Sequence, residues 1–296
     1  MFSGSIVALI TPMLNSGKID FDSLKNLINY HICNNTSAIL IISSTGEGYS
    51  LTFKEKCEVL IFSLELCANK IPIITGIGSA SFKDITKQIS FYNQTKINGF
   101  LISTPYYSCP NQDGLYQYFK KISELTNVPQ IIYNIPRRTG CDILPKTVAK
   151  LSKIKNIVGI KESSGDLSRI KKIKIISDNH FKILCGDDIH ILDFIKLGGS
   201  GVISMASNII AKESAQICRL MNNKYYYEAE KIYNKLYNLY HALTIEPNPS
   251  AIKWACKFLG LIKTCKSRLP ILHISKKHAY FLKNILKTIF TNKKFF

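Results

Sequence analysis

Short apolar, β-branched runs alternate along this chain with longer stretches in which apolar residues recur at helical spacing. The runs fall at residues 5–10, 38–42, 71–76, 99–103, 129–133, 156–161, 182–185 and 201–204, and each of the first seven precedes a helical pattern. That alternation predicts repeated β-α units and a parallel sheet. Eight units at this length predict an α/β fold, a (β/α)8 TIM barrel. Thr52-Phe53-Lys54-Glu55 has the capping-box form and opens a helix to about Asn69. Ser81-Phe82-Lys83-Asp84 repeats the form with a shorter acid, and Pro145 suits a first helical turn. After Ser204 only helical patterns remain, at about 211–221, 224–243, 249–259 and 277–289. The first completes the eighth unit. The others predict a C-terminal helical bundle, dividing the chain into a catalytic barrel (1–223) and an appended extension (224–296).

Composition adds limits. The 296 residues are 46% hydrophobic and 20% charged, enough apolar material for a large core. No basic segment precedes the apolar residues 6–10, and no apolar run approaches the roughly 20 residues of a membrane span. We therefore expect a cytoplasmic protein. Nine cysteines stand singly, with no C-x-x-C and no clustering with the six histidines, which predicts reduced thiols and no structural metal. The net charge of +19 invites a nucleic-acid reading, but the lysines are scattered over helical segments such as Lys171-Lys172-Ile173-Lys174. We read compositional drift on solvated faces and expect no nucleic-acid partner. The tail 291–296 reads as frayed.

In a barrel of this kind chemistry sits where strands end, so the residues after each run are the test. The sixth run, Ile157-Val158-Gly159-Ile160, closes on Lys161. An ammonium in apolar surroundings loses its proton or finds a partner, and a neutral lysine amine can form a Schiff base with a ketone. On this residue alone, a strand that delivers Lys161 to water is the readier reading, and the rest of the chain reverses it. The second run leads into Ser43-Ser44-Thr45-Gly46-Glu47-Gly48, whose backbone N–H groups suit a carboxylate. Thr104-Pro105-Tyr106-Tyr107 follows the fourth, and the fifth ends at Tyr133 before Asn134-Ile135-Pro136-Arg137-Arg138-Thr139-Gly140. Gly186-Asp187-Asp188 follows the seventh, and the eighth runs through Ile203. An amine, two phenols, a Ser/Thr pair and an arginine form a coherent set. Phenols shuttle protons, and arginine grips a carboxylate through two hydrogen bonds. Gly76-Ile77-Gly78-Ser79-Ala80-Ser81 superficially matches a dinucleotide fingerprint but lacks its third glycine and the later acid. These glycines read instead as a loop passing close to a neighbour.

The segments Ser43–Glu47, Tyr133–Gly140 and Gly159-Ile160-Lys161-Glu162 resemble the pyruvate-dependent class I aldolases, the group of dihydrodipicolinate synthases and N-acetylneuraminate lyases. The likeness runs from Phe2 to Arg268-Leu269-Pro270 and takes in Glu246-Pro247-Asn248-Pro249; only the last ~25 residues carry no matching pattern. It implies that Lys161 forms an imine and then an enamine with pyruvate. Tyr133, Ser44 and Tyr107 would relay protons, Tyr107 crossing from the neighbouring subunit of a dimer. Thr45 would hold the pyruvate carboxylate, Gly186 and Ile203 would line the pocket, and Arg138 would bind L-aspartate 4-semialdehyde. The product would be a cyclic hydroxy-tetrahydrodipicolinate, on the way to diaminopimelate and lysine. The resemblance implies no metal or organic cofactor and a homotetramer. The alternative is a sugar-acid aldolase like the neuraminate lyases, which typically lack an arginine at the place of Arg138.

Two departures from the family pattern stand out. Its usual Thr-Thr pair is Ser44-Thr45 here, preceded by Ser43 in place of glycine. Serine keeps the hydroxyl but loses the methyl that fixes its rotamer, which predicts a slower relay. Lysine-inhibited members carry polar and histidine residues at a dimer-interface site. This chain has Gly48, Tyr49, Phe53, Lys56 and Ala80 there, with Asp84 and Tyr106 retained, which predicts weak or absent inhibition by L-lysine.

Overall fold

The computed structural model describes residues 2–290; the tail at 291–296 lies outside them. Eight parallel strands close into a barrel in sequence order. They are β1 (Gly4–Ala8), β2 (Ala38–Ile41), β3 (Ile73–Ile77), β4 (Gly99–Ser103), β5 (Gln130–Asn134), β6 (Ile157–Glu162), β7 (Lys182–Cys185) and β8 (Gly201–Ser204). The seam between β1 and β8 pairs Gly4 with Gly201. Both have positive φ, and a Cβ on Gly201 would lie 2.1 Å from the Gly4 carbonyl oxygen, so glycine lets the two backbones meet.

Each strand feeds at least one helix. The outer layer comprises α1 (Phe21–Cys33), α2 (Phe53–Cys67), α3 (Phe82–Tyr92), α4 (Gln112–Ser123), α5 (Pro136–Thr139), α6 (Pro145–Leu151), α7 (Ser168–Ile176), α8 (Ile191–Lys196) and α9 (Ala211–Asn222). Local chemistry fixes the starts. The Thr52 hydroxyl accepts from Glu55 N while the Glu55 carboxylate accepts from Thr52 N, the reciprocal box expected of that tetrapeptide. Ser81 accepts from Asp84 N at the head of α3, and Pro145 is the first residue of α6. Beyond the barrel come α10 (Tyr226–Ala242), α11 (Ser250–Phe258) and α12 (Lys276–Ile289), with α10 packed on α9 and α12 on α10.

Two strands differ from expectation for backbone reasons. β1 stops at Ala8 because Ile10 N turns away to the Asn208 side chain. β3 starts at Ile73 because Pro72 has no N–H to give and only accepts, from Ile39 N. A Cβ on Gly76 would lie 2.5 Å from the Ile42 carbonyl oxygen, so these glycines do let the chain pass a neighbour closely. Alternate side chains point inward. Ile6, Leu40, Ile74, Leu101, Ile131 and Leu184 fill the barrel interior, and a larger apolar layer separates strands from helices. The sequence pattern that fills this interior ends, at the C-terminal rim, on polar residues. Among the described residues no helix is long and apolar enough to cross a membrane.

Candidate active site

At the C-terminal rim β5 and β6 place Tyr133 and Lys161 directly opposite each other in register. Lys161 is 6% exposed, which excludes the strand end that dissolves in water. Its Nζ lies over the Tyr133 ring, 4.4 Å from the centroid. That contact holds the amine against a phenol that is itself buried. The pair lines a cavity of about 750 Å³, shared with Ser44, Thr45, Arg138, Gly186 and Ile203. Seven of the eight residues singled out in the sequence therefore meet in one space. Tyr107 does not. It stands 95% exposed with φ of +73°, outside this cavity.

The rest of the wall explains how these groups are held. Glu47, next but one to Thr45, is fully buried and ion-paired with the equally buried Lys253 of α11. It also accepts from Arg268 N at 2.9 Å. Burial pushes the Lys253 ammonium down, and the Glu47 charge opposes that. The hydroxyl-rich loop after β2 is thus anchored to the C-terminal helices. Asn248 adds a second tie, its Nδ2 donating to Thr45 Oγ1 at 2.9 Å. Gly186 lets Ser163 pack against it: a Cβ there would lie 1.6 Å from Ser163 Oγ and 2.9 Å from Ser163 Cβ.

The two arginines after β5 differ. Arg137 pairs with Asp187 at 2.9 Å, whereas Arg138 makes no ion pair among the described residues and faces the cavity with its charge available. Asp188, also in the wall, accepts from Met205 N and Ala206 N at 3.1 and 2.9 Å. Burial nevertheless pushes its carboxyl above the usual range. Arg138, Ser44 and Tyr133 also border a smaller adjoining cavity of about 280 Å³, where Tyr49, Lys56 and Tyr106 stand. Burial lowers the Lys56 ammonium, with Asp84 opposing.

The profile of the dihydrodipicolinate synthetase family matches residues 1–289. The chain belongs to that family. It is 63% identical over 289 residues to a 4-hydroxy-tetrahydrodipicolinate synthase of Wigglesworthia glossinidia brevipalpis, covering 98% of this chain and 97% of that one. To the enzyme of the same name from Buchnera aphidicola subsp. Cinara cedri it is 48% identical, covering 99% of each. The crystal structure of dihydrodipicolinate synthase from Aquifex aeolicus superposes with a TM-score of 0.94 at 37% identity, covering 97% of this chain and 98% of that one.

Membership in the synthetase family does not by itself single out the residues around the cavity, and five were not assigned a role from the sequence. Asn134 and Glu162 follow Tyr133 and Lys161 immediately, and Arg169 and Asp142 pack behind them. Asn248 lies 203 residues from its partner Thr45. The signal for Glu162 was present in outline, an acid at the end of an apolar strand. Nothing local marks Arg169 or Asn248, because their partners are defined only by the closed barrel.

Proposed function

We propose that this chain is a 4-hydroxy-tetrahydrodipicolinate synthase, a Schiff-base-forming lyase that condenses pyruvate with L-aspartate 4-semialdehyde in diaminopimelate and lysine biosynthesis. The observation that carries this reading is the Lys161 amine, buried over the Tyr133 ring in a cavity that also holds Thr45 and the unpaired Arg138. The Lys161 amine attacks the pyruvate ketone, and Tyr133 delivers the proton with which the carbinolamine hydroxyl leaves as water. Ser44 and Tyr107 continue the relay. Thr45 and the loop N–H groups hold the pyruvate carboxylate. Loss of a methyl proton gives the enamine, whose carbon attacks the aldehyde of the second substrate. Arg138 binds that substrate's carboxylate. Its amino group then adds to the imine carbon and displaces Lys161, releasing the cyclic product. Gly186 and Ile203 shape the pocket.

A bulky phenol at 95% exposure on a left-handed backbone supports the reading that Tyr107 completes the site of a neighbouring subunit. We take the assembly as a homotetramer of two such dimers, in the cytoplasm. Residues 1–223 serve as the catalytic barrel and the extension from 224 closes it through Asn248, Lys253 and Arg268.

The test is a coupled assay with pyruvate and aspartate semialdehyde, followed through the next reductase and its nicotinamide. Turnover is expected, and Arg138→Ala is expected to impair use of the semialdehyde while sparing borohydride trapping of pyruvate. Trapping of pyruvate without turnover would redirect the second substrate to sugar aldehydes.

A further inference from the structure

Behind the reacting pair lies a buried polar cluster that the proposed chemistry does not use. Asn134 and Glu162 are the residues after Tyr133 and Lys161, and they too are paired in register across β5 and β6. Strand pleating turns them away from the cavity, yet both are buried. Asn134 Nδ2 donates to both Glu162 carboxylate oxygens at 3.2 Å and to Asp142 Oδ1 at 3.0 Å. Its Oδ1 accepts from Ile143 N at 3.2 Å, which fixes the amide's orientation. Glu162 also accepts from Ser164 N at 2.7 Å, at the start of the cavity-lining loop 163–165, and from Arg169 Nη1 at 3.5 Å. Arg169 grips Asp142 with two hydrogen bonds, at 2.8 and 2.5 Å. Burial opposes its charge, but Asp142 and Glu162 outweigh that and raise it.

From this arrangement we infer that Glu162 is a positioning residue for Lys161 and Tyr133, acting through Asn134 and Arg169. One carboxylate ties together the end of the strand carrying the phenol, the end of the strand carrying the amine, and the loop beyond. The segment after Arg138 is tied in through Asp142. A hydrogen-bonded network of this kind, with Asn134, Glu162 and Arg169 buried, is rigid. The amine and phenol sit one residue from it, so freedom gained there is transmitted to the 4.4 Å contact between them. The inference rests on the Schiff-base reading.

The experiment follows the time course of borohydride trapping of pyruvate at Lys161, with kcat and both KM values, in the unaltered protein and in Glu162→Gln. The variant keeps the shape of the side chain but removes its charge and one acceptor. Trapping is expected to slow about tenfold, since small displacements of reacting groups carry rate penalties of this order. The value of kcat should fall in parallel, with the KM for the semialdehyde held within about twofold. Trapping at the unaltered rate in a folded Glu162→Gln, even with a lower thermal midpoint, would mean a merely structural role and overturn the proposal. Should that variant not fold, Arg169→Lys decides the same question, because it keeps the charge and gives up the two-pronged grip on Asp142. Slowed trapping supports the proposal and an unchanged rate overturns it. No trapping in the unaltered protein would overturn the Schiff-base reading, and the positioning role with it.

Discussion

Asn248 donates its side-chain amide to Thr45 Oγ1 at 2.9 Å, joining the C-terminal extension to the hydroxyl loop across the mouth of the barrel. With one lone pair of Thr45 engaged, its O–H is free to donate to a carboxylate in the cavity. Asn248→Ala should therefore raise the KM for pyruvate about threefold to tenfold, the worth of one lost hydrogen bond, and leave the KM for the semialdehyde near its original value. Steady-state kinetics with each substrate varied in turn checks this.

The Glu47–Lys253 pair is another tie between those two regions, and both side chains are fully buried. Removing one partner strands the other charge in the interior. Lys253→Met should cost about 3–5 kcal/mol in unfolding free energy, read by chemical denaturation. The double change Glu47→Gln with Lys253→Met should recover part of that loss, since no lone charge is left.

Two groups predict the acid side of the stability profile. Burial draws the His31 imidazole from 6.5 down to about 3, so it stays neutral in the folded chain while the unfolded chain takes up a proton below pH 6.5. Its contribution is present above that pH and is lost as pH falls toward 3. Glu55 is held at about 2, chiefly by its hydrogen bond to Arg268, so its contribution is present above 4.5 and is lost as pH falls toward 2. Thermal midpoints should decline in two stages. His31→Gln should flatten the decline between pH 6.5 and 4.5 and make it shallower between 4.5 and 3, where both groups contribute.

Feedback by L-lysine is expected to be weak. Lys56 stands in the smaller cavity with Tyr49 and Tyr106, and Asp84 is occupied by the Ser79 hydroxyl at 3.2 Å. A cationic effector would meet a cation there, with Asp84 already acting on Lys56. An inhibition titration should give a midpoint above about 1 mM, binding weaker than roughly 4 kcal/mol; a lower midpoint would contradict this.

How much of this was legible in the sequence depends on how local each signal is. All eight strands appear within about two residues of the apolar runs, because a parallel strand covered on both faces reads as a mostly apolar run. Thr52 and Pro145 marked helix starts because capping is settled within one turn. The helix Pro136–Thr139 leaves no periodic signal, although Pro136 opens it and Gly140 closes it in the left-handed region, because four residues show no period. The residues of the cavity could be named because each stands at the end of a strand or in the segment after one. Their supports could not: Lys253 for Glu47, Asn248 for Thr45 and Arg169 for Asp142 are partners across long stretches of chain, and only closure of the barrel brings them together.

The central claim is that Lys161 is the nucleophile toward pyruvate, and borohydride reduction in the presence of pyruvate, read by peptide mass, tests it most directly. The account predicts one pyruvyl adduct on the peptide bearing Lys161, and none in Lys161→Ala. An adduct that persists in Lys161→Ala, or falls on another lysine of the unaltered protein, would contradict it.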